Sequence, residues 1–374
     1  MKITFISNYL NHHQIPFCQA MHGMPDIDFC FIATEKVPDE RIALGYLSDF
    51  SSKTYYKKID NNISEQQAQK LCFESDAVII GSAPESYVKR RIKQNKLTFR
   101  YSERFFKNGF WKHPGDICRT FKALSKYNGK NLYLLCASAY TAGDAKKVGF
   151  LNRCFKWGYF PETEQYGDRL NQLKNNPVPK LLWVGRIIPS KRPEIFLNTC
   201  KQAYEEGIPF TADMICGGEL DESIRKFVAD NQLSEFVTIH KSMPANEVRK
   251  YMEKADIFMF TSNRQEGWGV VLNEAMNSAC AVIASETAGA TNFLVTHGEN
   301  GLVFEKDNMS RATEQALRLL TDSKLRNKLG NNAYSTVTEL WNAEIAAARF
   351  AELCKNFYKN GNLNVFKEGP LSKP

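Results

Sequence analysis

Short apolar runs alternate with polar, helix-compatible stretches along the whole chain. In the first half the runs fall at 2–7, 28–33, 76–81 and 132–137, and helices fit 64–73 and 119–126. The first of these helices opens with Ser64 three residues before Gln67, the order of a capping box. The second half repeats the rhythm. Strands fit 180–184, 212–216, 237–240, 256–260, 281–284 and 301–304; helices fit 193–206, 221–230, 245–253, 270–277, 310–321 and 323–339. Ala346, Phe350, Leu353 and Phe357 recur at roughly helical spacing and predict a last amphipathic helix. Such alternation predicts an α/β protein with parallel sheets. A polar stretch at 171–179, carrying Pro177 and Pro179, has the composition of a linker. The expected organisation is therefore an α/β domain at 1–170, a second at 171–340, and a closing helix and tail at 341–374. Residues 361–374 are expected to fray. No short-period repeat is present.

Length and composition agree with this division. A chain of 374 residues suits two domains, and an apolar fraction of 43% is ordinary for large globular cores. No apolar run approaches the ~20 residues needed to span a membrane. The chain enters its first strand at Lys2 without a signal-peptide layout. Its ten cysteines form no Cys-x-x-Cys pair and no zinc spacing with His. The expectation is a cytoplasmic protein with reduced thiols, without disulfides or a metal site. The net charge of +8 is uneven: residues 1–170 hold 25 Lys and Arg against 17 Asp and Glu, and the remainder is balanced at 24 each. A basic first half calls for an anionic partner such as nucleic acid, a membrane surface or a phosphorylated substrate.

Candidate chemistry concentrates at 261–289. Glu266 and Glu274 stand eight positions apart, Gly267 and Gly269 follow the first acid, a strand enters the stretch and a helix leaves it. Such a loop presents backbone N–H groups and the positive end of a helix to an anion, and glycine lets the ligand come close. Both acids can point into the crevice beyond the strand's carboxyl end. Two solvated helix acids would give the same spacing. Upstream, the strand 181–184 runs into Gly185-Arg186, with Lys191 five residues on. An Arg fork and a Lys point charge past a strand end suit a diphosphate, or form a plain basic loop. Gly217-Gly218 after the strand 212–216 allows backbone approach to a nucleotide, or a tight turn. His12 and His13 are the polar candidates after the first strand, in a catalytic, acceptor-binding or merely structural role. Asp26-Ile-Asp28 reads as a turn and not as a cation site.

Ser262, Glu266-Gly-Trp-Gly269, Glu274-Ala-Met276 and Gly289 together resemble the signature of the family-four retaining glycosyltransferases, the glycosyl transferases of group 1. Gly185-Arg186-x4-Lys191 matches the same family's phosphate motif in the family's order. The resemblance implies the GT-B fold: two Rossmann-like parallel-sheet domains facing a cleft, with the last helix crossing back to the first. It implies that Arg186 and Lys191 hold the phosphates of a UDP- or GDP-linked sugar, Glu274 the ribose, and Glu266 the transferred sugar. The amides of Gly267, Trp268, Gly269 and Val270 assist, Gly185, Gly217 and Gly218 line the nucleotide, and no metal or other cofactor is required. The region after the strand 237–240 reads the base; Lys241 stands there in place of the usual Gly. The first half departs from the pattern. Its first loop, 8–16, has no Gly, and Ser82-Ala-Pro84 occupies the place of a common His. Segments 138–144 and 157–161 resemble bacterial enzymes that build capsule or surface polysaccharide. The implied activity is transfer of a hexose to a hydroxyl of a glycan or lipid-linked acceptor. Alternatives are another GT-B enzyme, such as a sugar-nucleotide epimerase or a phosphorylase, and a basic nucleic-acid-binding protein. No recognised nucleic-acid motif supports the last, so no nucleic-acid partner is expected.

One run remains outside this scheme. Residues 86–112 carry nine basic side chains (Lys89, Arg90, Arg91, Lys93, Lys96, Arg100, Arg104, Lys107 and Lys112) against Glu103 alone. Seven rings are interleaved: Tyr87, Phe99, Tyr101, Phe105, Phe106, Phe110 and Trp111. The mixture predicts either a surface segment docking peripherally on an anionic membrane, at the inner face of the cell membrane, or rings packed into the domain beneath solvated charges.

Overall fold

The computed structural model describes residues 1–374 apart from 43–46, 48, 168, 175, 219–220, 306–307 and the side chain of 171. The chain divides into two units, one of Met1–Glu162 with Trp341–Pro374 and one of Thr163–Leu340.

The first unit is built on a seven-stranded sheet: β1 (Lys2–Ser7), β2 (Asp28–Ala33), β3 (Tyr56–Lys58), β4 (Ala77–Ile80), β5 (Thr98–Ser102), β6 (Leu132–Cys136) and β7 (Cys154–Lys156), in the order β3-β2-β1-β4-β5-β6-β7. All pairings are parallel. The four predicted runs became β1, β2, β4 and β6. The three unpredicted strands lacked the apolar signal: β3 and β7 are three-residue edges, and β5 reads Thr-Phe-Arg-Tyr-Ser. An aromatic cluster fills one face. Phe17 meets Trp157 at 5.3 Å and Phe350 at 6.3 Å, and Phe350 meets Phe99 at 5.0 Å. Phe350 belongs to the last helix, Ala343–Asn360, which buries Ala346, Phe350 and Leu353 as the spacing predicted. Asn342 caps its first turn by accepting from the Ile345 amide at 2.8 Å, and Gly361 ends it at φ +70°.

The tail does not fray. The Leu371 amide donates to the Lys156 carbonyl and the Lys156 amide to the Ser372 carbonyl, each at 2.8 Å, and Leu371 is fully buried. The tail thus covers the open edge of β7, whose unpaired backbone groups would otherwise need water. Asp26 pairs with Lys355 at 2.5 Å, and Asp28 begins β2.

The basic, aromatic run 86–112 is largely folded inward. The helix Ser86–Lys93 buries Tyr87, Val88, Arg91 and Ile92. Arg91 is fully buried and donates to the carbonyls of Cys72, Ser75, Asp76 and Leu97 and to the Thr98 hydroxyl. It satisfies carbonyls left over at the end of the helix Glu65–Glu74. Phe99 and Phe106 are buried, and Arg104 sits buried 3.7 Å from Asp144. Lys89, Arg90, Lys93, Trp111 and Lys112 stay exposed. The run is therefore not a continuous surface segment.

The second unit carries β8 (Lys180–Arg186), β9 (Thr211–Gly217), β10 (Val237–Lys241), β11 (Ile257–Phe260), β12 (Ala281–Ser285) and β13 (Leu302–Phe304), parallel, in the order β10-β9-β8-β11-β12-β13. All six were predicted. Helices include Pro193–Glu205, Asp221–Asp230, Ala245–Lys254, Val271–Asn277, Met309–Thr321 and Ser323–Ser335. Trp183, Phe196, Met214, Ile257, Ile283 and Phe304 anchor the core. The stretch 171–179, of which 175 lies outside the described residues, is docked on this unit and is not a free linker. Lys174 donates to the carbonyls of Met252, at 2.9 Å, and Ala255, and the Asn176 amide donates to Asp256 at 2.8 Å. An ammonium at the carbonyl end of the helix Ala245–Lys254 complements its dipole. All ten cysteines are free, and only Cys118 is exposed.

Candidate functional site

Strand order in the second unit reverses between β8 and β11, and their carboxyl ends open the crevice where such sheets take ligands. The loops leaving these two strands are tied together. The Trp183 indole donates to the Thr261 hydroxyl at 2.9 Å, that hydroxyl donates to the Lys191 carbonyl at 2.6 Å, and the Asn263 amide donates to the Ser190 carbonyl at 2.8 Å. The ties bring side chains 75 positions apart into contact: the Lys191 ammonium forms an ion pair with the Glu266 carboxylate. Both are partly buried, with side chains 19% and 16% exposed. Arg186, at the end of β8, is exposed and has no side-chain partner among the described residues. Among the described residues the site thus holds the Lys191–Glu266 charge pair and, at Arg186, a cation open to a ligand.

Glycine is required here for shape. Gly269 has φ +93°, and a Cβ on it would lie 2.2 Å from the Phe260 ring. Gly218 has φ +150°, and its Cβ would lie 2.8 Å from the Ile187 carbonyl oxygen. The Gly217 carbonyl accepts from the Ile187 amide at 3.0 Å, so Gly217-Gly218 press the loop after β9 against the one after β8. Gly185 lies under the Trp183 ring, 3.2 Å from where its Cβ would be.

The residues after Glu266 face two ways. Trp268 is fully buried; its indole donates to Asn273 at 2.8 Å and its carbonyl accepts from the Ala290 amide at 3.1 Å. Its ring braces the loop from inside. Val270 opens the helix Val271–Asn277, which puts Glu274 in its first turn. Burial pushes the Glu274 carboxyl up to about 7, against the pull of the Arg249 guanidinium. Arg249 comes from the helix Ala245–Lys254 and donates to Asn277 at 2.5 Å. Sequence reasoning missed it, because no motif marks a cation placed by tertiary packing alone.

His12 and His13 lie in the other unit, in the turn His12–Gln14 after β1. His13 is buried and its ring stacks on Tyr159 at 3.9 Å. Burial, then His12 and Arg41, holds its pKa well below the usual value; burial and then Arg41 lowers that of His12. Both rings therefore favour the neutral form near pH 7. Among the described residues, no three His, Cys, Asp or Glu are placed to hold a metal ion, and no helix is long and apolar enough to cross a membrane.

Residues 168–336 match the family described as glycosyl transferases group 1. An uncharacterized glycosyltransferase of Methanocaldococcus jannaschii is 33% identical over 151 residues, 40% of this chain and 41% of that one. The amylovoran biosynthesis glycosyltransferase AmsK of Erwinia amylovora is 26% identical over 163 residues, 42% of this chain and 40% of that one. The chain spans about two fifths of the length of these curated relatives. The Anabaena protein HepE, crystallised with UDP, superposes with a TM-score of 0.69 over 95% of this chain and 100% of that one, at 15% identity. The matched residues enclose β8 to β13 and every candidate from Gly185 to Glu274, so the second unit is a glycosyl transferases group 1 domain, in a chain of GT-B fold.

Proposed function

We propose that this protein is a retaining hexosyltransferase. It moves a sugar from a UDP- or GDP-linked donor to a hydroxyl of a glycan or lipid-linked acceptor, in the making of a surface polysaccharide. One observation carries the reading: an exposed Arg186, without a side-chain partner among the described residues, on the same loop as Lys191 of the Lys191–Glu266 pair, at the switch point of a group 1 domain. A diphosphate meets Arg186 as a fork and draws Lys191 from Glu266, which turns to the sugar's hydroxyls. Glu274 accepts from the ribose. As the acceptor oxygen bonds to the anomeric carbon, the bond from that carbon to the β-phosphate oxygen breaks, and the departing phosphate takes the acceptor's proton. The two cations stabilise charge that grows as the bond breaks, without a metal. Names of relatives support the polysaccharide setting: amylovoran in Erwinia amylovora and capsular polysaccharide in Staphylococcus aureus. A thermal-shift screen against UDP-, GDP-, ADP- and dTDP-sugars tests the reading. A matched donor at 100 times its Kd adds about 2.7 kcal/mol of stability and raises Tm. A flat response to the whole panel rejects it. With the matched donor, turnover persists in a chelator.

The charge asymmetry supports a cytoplasmic enzyme docking on the anionic inner face of the membrane, through a narrower patch than 86–112. Trp111 is 81% exposed and Phe121, on the helix Pro114–Ala123, is 50% exposed, and Lys112, Arg119 and Lys122 in the same stretch are exposed, Arg119 in an ion pair with Asp116 at 3.1 Å. Rings at the interface and cations on headgroups suit such a surface. The other four tryptophans are buried, so iodide-quenchable emission reports Trp111. Phosphatidylglycerol vesicles should protect that emission and phosphatidylcholine vesicles should not. Lys122→Ser should weaken binding by about 1 kcal/mol, roughly fivefold. Trp111 quenching that ignores anionic vesicles overturns the docking.

A further inference from the structure

The first unit has a switch point of its own. β1 lies between β2 and β4, so the carboxyl ends of β1 and β4 flank a ligand crevice. The floor is tight: a Cβ on Gly81 would sit 2.6 Å from the Ser7 hydroxyl, which also accepts from the Ser82 amide at 3.3 Å. Beside it, just past β5, stands Glu103. Its Oε1 accepts from the Tyr159 hydroxyl and its Oε2 from the Lys107 ammonium, each at 2.5 Å. The Tyr159 ring lies within 12° of parallel to His13. The Phe160 amide donates to the His13 carbonyl at 3.2 Å, and the Tyr101 hydroxyl to the Gly158 carbonyl at 3.3 Å. Loops after β1, β5 and β7 thus converge on one carboxylate.

That carboxylate is held but not used up. Its side chain is 28% exposed and that of Lys107 is 37% exposed. An ionised carboxylate has about four lone-pair sites, and an ammonium about three protons. The contacts above leave acceptor and donor capacity side by side, next to the partly buried Tyr159 ring. Alternating acceptors and donors beside an aromatic face match a ligand with neighbouring hydroxyls on an apolar ring face. The neutral imidazole of His13 adds no charge that would favour an anion instead.

We propose that Glu103 binds the hydroxyls of a carbohydrate acceptor, with Lys107 and Tyr159 as positioning residues and Tyr159 offering its ring to the sugar. This rests on the glycosyltransferase reading and assigns that reaction's acceptor side, which the family motifs of the second unit leave open. It also gives a role to the Trp157-Gly-Tyr-Phe-Pro161 segment.

Saturation-transfer NMR on the full chain with UDP or GDP, whichever it binds, tests it, using octyl β-D-glucoside, octyl β-D-galactoside and octyl N-acetyl-β-D-glucosaminide below their micelle concentrations. At least one glycoside should receive magnetisation at its ring protons. Glu103→Gln should weaken it about tenfold, by loss of charge-assisted bonds, and Glu103→Asp should restore part. Affinity for that nucleotide by calorimetry should stay unchanged in both. Should Glu103→Gln fold poorly, Lys107→Met leaves the carboxylate in place and should weaken the glycoside about threefold. No transfer to any of the three, or transfer that ignores these changes, overturns the proposal. Failure of every nucleoside diphosphate of the donor panel to bind the wild type defeats the glycosyltransferase reading instead, so the two failures are separable.

Discussion

Arg186→Ala should lower kcat/KM for sugar transfer at least 100-fold while leaving Tm unchanged; Lys191→Ala should lower both. Removing one preorganised charge-stabilising donor costs about 2.7–4 kcal/mol of transition-state stabilisation. Arg186 is exposed and forms no hydrogen bond or ion pair with a described side chain, so its loss should leave the stability of the unliganded protein unchanged. Lys191 differs because it neutralises Glu266 in a partly buried pair. Truncating it removes the neutralising charge from a partly buried carboxylate, at about 1–3 kcal/mol. Lys191→Met with Glu266→Gln should recover stability and not activity, which separates structural loss from chemical loss. Near-wild-type turnover in Arg186→Ala would remove the phosphate role. Equal Tm for the two single variants would mean that the ion pair contributes nothing to folding.

What the sequence disclosed depends on how local each signal is. The six strands of the second unit are apolar runs ended by glycine or polar residues, and every one was legible. Arg186, Lys191, Glu266 and Glu274 were found because each sits at a fixed offset from a strand end. Their relations were not legible: the Lys191–Glu266 contact requires the Trp183–Thr261 and Asn263–Ser190 ties between loops far apart in sequence. Arg249, Glu103 and Tyr159 were invisible as site residues for the same reason. The run 86–112 shows a choice that the sequence left open. Counting charges and rings could not choose between a docking surface and rings packed beneath solvated charges, whereas Tyr87, Val88, Arg91 and Ile92 share one helical face, and that face is buried. Periodicity would have separated the buried Arg91 from the exposed Arg90. The tail misled because polarity and chain position imply fraying only where no strand edge is waiting.

Glu274→Gln should stabilise the protein above pH 7 and weaken nucleotide binding there. Burial raises the Glu274 carboxyl from 4.5 to about 7 in the folded protein. Below the lower value both states hold the proton, and the group contributes no difference. Between the two, the unfolded chain is ionised and the folded one is not, so wild-type stability falls as pH rises. Above about 7 the folded carboxyl ionises too, and the loss levels off. The partly exposed edge of the side chain reduces the full cost, leaving about 2 kcal/mol. Glutamine has no such titration. The Tm advantage of the variant should therefore grow from nothing near pH 4.5 to a plateau above 7. Binding should run the other way, because an ionised carboxylate is the stronger acceptor for ribose hydroxyls. Affinity of the wild type for the donor's nucleoside diphosphate, UDP or GDP, should rise towards that plateau and exceed the variant's by about 2 kcal/mol, roughly 30-fold. Calorimetry at pH 6.5 in two buffers of different ionisation enthalpy should show more protons released by the wild type than by the variant, a difference in which the nucleotide's own proton cancels. Identical proton release and affinity in the two proteins would remove Glu274 from the ribose and leave it a buried acid with a stability cost and no ligand to offset it.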